Sequence, residues 1–158
     1  MTFSFYNKIL TVAFHKTVIN DIFFEMNMII KRDKYLDELI GWKHTDLIKI
    51  VTGLRRCGKS FLLFNLFHQH LLSSGTDESH IIEIALDDIS NEALREPFRM
   101  LEYVKSKIKD DNQYYLIIDE VQLLGRFVDV LNSFMHIDNV DIYVTGSNSR
   151  FTKNSLLL

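Results

Sequence analysis

The run GLRRCGKS, Gly53–Ser60, constrains this chain more than any other feature. It follows the Gly-x-x-x-x-Gly-Lys-Ser pattern of a loop that wraps phosphate groups. Gly53 and Gly58 allow a tight turn that brings backbone N–H groups against phosphate oxygens. Lys59 is set to reach the β- and γ-phosphates of a nucleoside triphosphate, and the Ser60 hydroxyl to complete a Mg²⁺ shell. The context agrees: DLIKIVT reads as a strand directly before Gly53, and SFLLFNLFHQHLL as an apolar helix directly after Lys59. The positive end of that helix then points at the same phosphates. Leu54, Arg55, Arg56 and Cys57 fill the variable loop positions, and Phe61 opens the helix, so all are expected in the ATP-binding set. The two arginines face a phosphate, a neighbouring subunit or solvent. Cys57 reads as a small packed side chain, with thiol-reagent sensitivity as the other reading.

After residue 30 the chain alternates strand-like and helix-like segments. Four short apolar runs read as buried parallel strands: Leu47–Thr52, His80–Leu86, Tyr114–Asp119 and Val140–Thr145. Helical patterns cover Lys59–Ser74, roughly Glu96–Lys109, and Leu123–Met135, with Pro97 placed for a first helical turn. An amphipathic helix, Asp33–Trp42, precedes them, its stripe made of Tyr35, Leu36, Leu39 and Ile40. The expectation is an α/β fold, a parallel sheet covered on both faces. Residues 1–28 are rich in aromatic and β-branched side chains without clear periodicity, and are expected to be an extension ahead of the domain proper, with a functional N-terminal arm or dimerisation segment as the other reading.

Two further clusters extend the chemistry. YYLIIDEVQ is an apolar strand that ends in two acids. Asp119 at its end suits a Mg²⁺ site, and Glu120 is then placed to orient and deprotonate an attacking water. A kinase needs no such glutamate; a hydrolase does. The third cluster, VDIYVTGSNSR, offers Asn148, with Thr145 and Ser147 as alternatives, as a sensor of the γ-phosphate or its water. Asp87 and Asp88 end a strand and read first as a loop start, then as lining of the nucleotide crevice. His68 and His70 lie two apart on a helix and face different sides, which disfavours a metal pair.

Composition bounds the rest. The chain has 158 residues and a net charge of −3, which leaves a broad electrostatic grip on nucleic acid unsupported. No apolar run approaches the ~20 residues that span a bilayer. Cys57 is the only cysteine, so a reducing, cytoplasmic setting is expected.

Together these motifs resemble the AAA+ ATPases, and within them an archaeal and bacterial branch with RDKYL, GxRRxGKS, DEVQ and TGSNS motifs. Here those stand as Arg32–Leu36, Gly53–Ser60, Asp119–Gln122 and Thr145–Ser149. The resemblance runs from about Ile29 to Phe151. It implies a P-loop sandwich with Walker A and Walker B elements, ATP and Mg²⁺ as ligands, and strand order 5-1-4-3-2. It also implies an arginine finger and a C-terminal domain, often nuclease-like, that this segment does not contain. Arg126 and Arg150 are weak finger candidates. The chain is therefore expected to be an N-terminal piece of a longer ATPase, with strands in order 1-4-3-2, the fifth strand missing and strand one a bare edge. The expected function is ATP binding with slow or absent hydrolysis by this chain alone. A non-hydrolysing nucleotide switch or remnant is the alternative, and a homo-oligomer or a missing domain is the expected partner.

Overall fold

The computed structural model describes residues 3–6, 9–14 and 33–147. Its strands are β1 (Phe3–Tyr6), β2 (Ile9–Phe14), β3 (Ile48–Gly53), β4 (Ile81–Ala85), β5 (Tyr114–Asp119) and β6 (Val140–Ser147). The helices are α1 (Asp33–Gly41), α2 (residues 59–73), α3 (Pro97–Lys107) and α4 (Phe127–Phe134). Within α2 the middle stretch, Leu62–Phe67, is wound as a π-helix. Leu62, Leu63 and Phe67 are all buried within that stretch.

Every residue of β3 and of β5 is buried, as an apolar strand covered on both faces must be. Side chains alternate between the two faces. On one face Ile48, Ile50, Leu116, Ile118, Ile142 and Val144 meet Met100 and Val104 of α3 and Val130, Leu131 and Phe134 of α4. On the other, Val51, Tyr115, Ile117 and Tyr143 meet Leu62, Leu63, Phe67 and Leu71 of α2, together with Leu39 of α1. Tyr35, Leu36 and Ile40, the rest of the expected α1 stripe, pack on that second core. Helix α3 starts as its sequence asks, with Pro97 in the first turn and the Glu96 carboxylate accepting from the Arg99 N–H at 2.8 Å.

The sheet order is β1-β2-β3-β6-β5-β4. The four strands expected from the sequence stand in the expected order 1-4-3-2, all parallel, each within a residue or two of its expected bounds.

One expectation fails. Strand β3 is not a bare edge, because β2 pairs with it in parallel along its whole length, from Ile9 opposite Ile48 to Phe14 opposite Gly53. Strand β1 then pairs antiparallel with β2 and forms the outer edge. Ten residues of the supposed extension therefore belong to the sheet, and β2 holds the place beside strand one that had been expected to stand empty. The physical reason is the unmet hydrogen bonding of a buried strand's outer edge, which any chain segment of β character nearby will satisfy.

Among the described residues, no helix is long and apolar enough to cross a membrane.

Candidate functional site

Three strands end together around the phosphate loop. Strand β6 lies between β3 and β5, so the carboxyl ends of all three share one rim of the sheet. Strand β3 delivers Gly53, β5 delivers Asp119 and Glu120, and β6 delivers Thr145. This is the rim of an open parallel sheet at which ligands bind.

The loop after Gly53 turns through two left-handed residues, Arg56 (φ 62°) and Gly58 (φ 86°). Gly58 is where that conformation costs least, because a Cβ there would meet the following carbonyl. Its carbonyl oxygen accepts from the Leu62 N–H at 3.1 Å, which starts α2. The first N–H groups of a helix point out of its end, here toward the loop. Lys59 is buried (4% exposed), and its Nζ donates to the Leu54 carbonyl at 3.2 Å, across the loop it serves. Leu54, Arg55, Arg56 and Phe61 are exposed at the rim, while Cys57 is half-buried.

Ser60 and Asp119, singled out separately in the sequence, meet here. The Ser60 hydroxyl donates to Asp119 Oδ2 at 2.6 Å. The other oxygen, Oδ1, accepts from the Thr145 hydroxyl, and Thr145 Oγ1 in turn accepts from the Glu120 N–H at 2.9 Å. Asp119 and Thr145 are both buried. Thr145 thus ties together the two acids on the neighbouring strand, a part that its sequence position as a sensor alternative did not reveal. Glu120 itself stands in the left-handed region (φ 52°), and its carboxylate accepts from Gln122 Nε2.

Thr145→Val should lower stability by about 2 kcal/mol, because the half-buried Glu120 N–H and one oxygen of the buried Asp119 each lose a partner. Thr145→Ser should keep most of it. Urea unfolding of both variants measures the difference, and equal midpoints would remove Thr145 from this role.

The remaining candidates fall elsewhere. Asn148 and Arg150 lie outside the described residues. Arg126 pairs through Nε with Asp129 at 2.8 Å on the surface at the start of α4, an ion pair local to that turn. Asp88 accepts from the Ser90 N–H at 2.9 Å and caps a turn, the loop-start reading. Its hydrogen bonds to Ser90 hold its carboxyl below the usual range. Asp87 is exposed beside it. His68 Nδ1 meets Glu83 Oε1 at 2.9 Å across to β4, and the ring of His70 stacks on Phe67. Among the described residues, no cluster of three or more His, Cys, Asp or Glu side chains suits a metal ion. The Asp119 carboxylate meets the hydroxyls of Ser60 and Thr145, and Asp119 with Ser60 would give the sparse protein ligation that Mg²⁺ takes when substrate phosphates and water supply the rest.

Comparison with known proteins agrees with this geometry. The model of a family described as an AAA domain matches residues 45–157. An uncharacterised protein of Haemophilus influenzae is 29% identical over 128 residues, covering 80% of this chain and 32% of that protein. An uncharacterised protein of Methanocaldococcus jannaschii is 27% identical over 116 residues, covering 69% of this chain and 23% of the other. The chain thus spans a third or less of the length of these curated relatives. No solved structure matches. With the strand order and the family match in agreement, the chain belongs to the AAA-domain family and carries its ATPase-like nucleotide-binding fold.

Proposed function

We propose that this chain binds Mg·ATP on the loop Gly53–Ser60 and hydrolyses its γ-phosphate with Glu120 as base. The observation that carries the reading is the 2.6 Å bond between Ser60 and Asp119, which joins the phosphate loop to the acidic strand. Hydroxyl and carboxylate are the hard oxygen donors that Mg²⁺ takes, so these two residues fit the ion. Bound there with substrate, Mg²⁺ would neutralise charge building on the phosphate oxygens.

The chain's own groups do the rest. The loop N–H groups and the end of α2 hold the phosphates. Lys59 exchanges the Leu54 carbonyl for a phosphate oxygen, so its ammonium meets an anionic acceptor in place of a neutral one. Glu120 takes a proton from water as its oxygen attacks the γ-phosphorus, releasing ADP and phosphate. Asn148, beyond the end of the described strand, completes the set as the sensor. An arginine finger is worth ~10³–10⁵ in rate where one operates. Among the described residues Arg126 pairs with Asp129 at the surface, and a second copy or a further domain is the proposed source of such a finger. A reducing, cytoplasmic setting suits the lone Cys57 in the loop.

A fluorescent ATP analogue should bind the wild type and be lost on Lys59→Ala. Glu120→Gln should keep the analogue and lose turnover, leaving ATP trapped. Wild-type turnover no higher than that of Lys59→Ala would end the hydrolase reading, and analogue binding unchanged by Lys59→Ala would end the site itself.

A further inference from the structure

Gln122 is the member of the Asp119–Gln122 motif to which the reading above gives no task. It occupies the middle of a single 3₁₀ turn, Val121–Leu123, entered from Glu120 in its left-handed conformation. That turn sets the side chains of residues 120 and 122 together, and Gln122 Nε2 donates to Glu120 Oε2. The other end of the same amide, Oε1, is buried and accepts from no group among the described residues. The orientation follows from charge: the reverse would press a carbonyl oxygen against a carboxylate.

A buried acceptor without a donor is a net cost to folding. An apolar side chain of similar length would serve stability better, so the stabilising role of Gln122 is weak and its bond to Glu120 is the feature left to explain it. The Glu120 backbone is already fixed on both sides: its N–H donates to Thr145 Oγ1, and its carbonyl accepts from the Leu123 N–H at 2.9 Å. What the backbone leaves free is the side chain, with its three rotatable bonds. The Gln122 amide restrains those.

We propose that Gln122 is the positioning residue for Glu120. Its amide ties down Oε2 and so leaves Oε1 as the oxygen that takes the proton of the attacking water. The proposal rests on Glu120 being the base. Misplacing a catalytic group by about 1 Å costs on the order of 10²-fold in rate, so the bond is expected to act on turnover rather than on nucleotide affinity.

The test uses the full chain with Gln122→Met, which keeps length and removes the donor, and Gln122→Glu, which sets a second carboxylate against the first. Gln122→Met should lower kcat by about ten- to a hundredfold. Its affinity for the fluorescent ATP analogue should stay within about twofold and its Tm should equal or exceed that of wild type. Gln122→Glu should be slower still, by like-charge repulsion. Wild-type kcat in Gln122→Met, or a loss of analogue affinity that matches its loss of kcat, would overturn the proposal. If wild-type turnover does not exceed that of Lys59→Ala, the base reading has failed and the contact is judged by spectroscopy. With ¹³C-carboxyl-labelled glutamate, the signal that vanishes in Glu120→Gln should move in Gln122→Met. A signal that stays in place overturns the contact too.

Discussion

Replacing Asp141 by leucine while Lys49 stays in place should cost about 3–5 kcal/mol of folding stability. Lys49 is the second residue of β3 and Asp141 the second of β6, at the amino ends of the strands, opposite the phosphate loop. Lys49 is fully buried and Asp141 is 3% exposed. The Asp141 carboxylate accepts from Lys49 Nζ, from the His44 N–H at 3.0 Å and from the Tyr143 hydroxyl at 2.9 Å. Lys49 also donates to the Thr45 carbonyl at 3.1 Å. Burial pushes the Tyr143 hydroxyl far above its ordinary range, so it stays protonated and acts as donor. Three donors converge on this one carboxylate, and its removal leaves the buried ammonium without its anionic partner, holding only the Thr45 carbonyl by hydrogen bond.

The double replacement Lys49→Met with Asp141→Leu should be neutral, or more stable than wild type by about 1–4 kcal/mol, because the desolvation cost of both charges disappears together. Urea unfolding of the two single variants and the double variant gives the comparison. A loss below about 1 kcal/mol in Asp141→Leu would show that the pair contributes no more than a surface ion pair does.

The pH dependence carries its own sign. Burial lowers the Lys49 ammonium from its ordinary value, and Asp141 opposes that shift. Without Asp141 only the weaker attraction of Asp46 opposes the lowering, so just below the ordinary lysine range the unfolded chain holds more protons than the folded one. The stability of Asp141→Leu should therefore rise with pH toward that range, relative to the double variant. A parallel pH course for the two would refute it.

Removing residues 1–14 should be as damaging, and by another route. Strand β2 satisfies the outer edge of β3 over six residue pairs, and its last residue, Phe14, stands opposite Gly53, where the phosphate loop begins. At a net ~0.5–1.5 kcal/mol for each backbone hydrogen bond, losing that ladder is worth several kcal/mol. The bared edge of β3 is also a template for pairing between chains. The truncated chain should melt markedly lower, self-associate on size exclusion with light scattering, and bind the ATP analogue more weakly than wild type. A monodisperse truncated chain with unchanged Tm would show that β2 adds nothing to the sheet.

These two cases mark where the sequence was legible. Strands β3 to β6 were readable because each is a short apolar run buried on both faces, and β5 was placed to the residue. Ser60, Asp119 and Glu120 stood out in the sequence by residue type, Ser60 opening a helix and the two acids closing a strand, and the structure brings Ser60 and Asp119 into contact. Strands β1 and β2 were missed, though FSFY and ILTVAF stand just two residues apart, a spacing that favours a hairpin. The dipeptide between them, Asn7–Lys8, lacks the glycine that makes such a turn conspicuous. The link from Gln122 to Glu120 was hidden by a left-handed backbone at a residue that is not glycine, which no periodicity announces. The buried pair had a visible sign, one charged residue inside each of two apolar strands, but their meeting depends on β3 lying beside β6.

That neighbourhood has a consequence for how the molecule is made. Strand β6 is the last described strand along the chain, yet it lies between β3 and β5 in the sheet. A chain still leaving the ribosome, with residues 140–147 unmade, holds the phosphate loop and both acids but lacks the strand that joins them. Pairings so distant in sequence form late, after the loop-closing entropy has been overcome. The proposed nucleotide binding should therefore wait until β6 has been made and paired between β3 and β5.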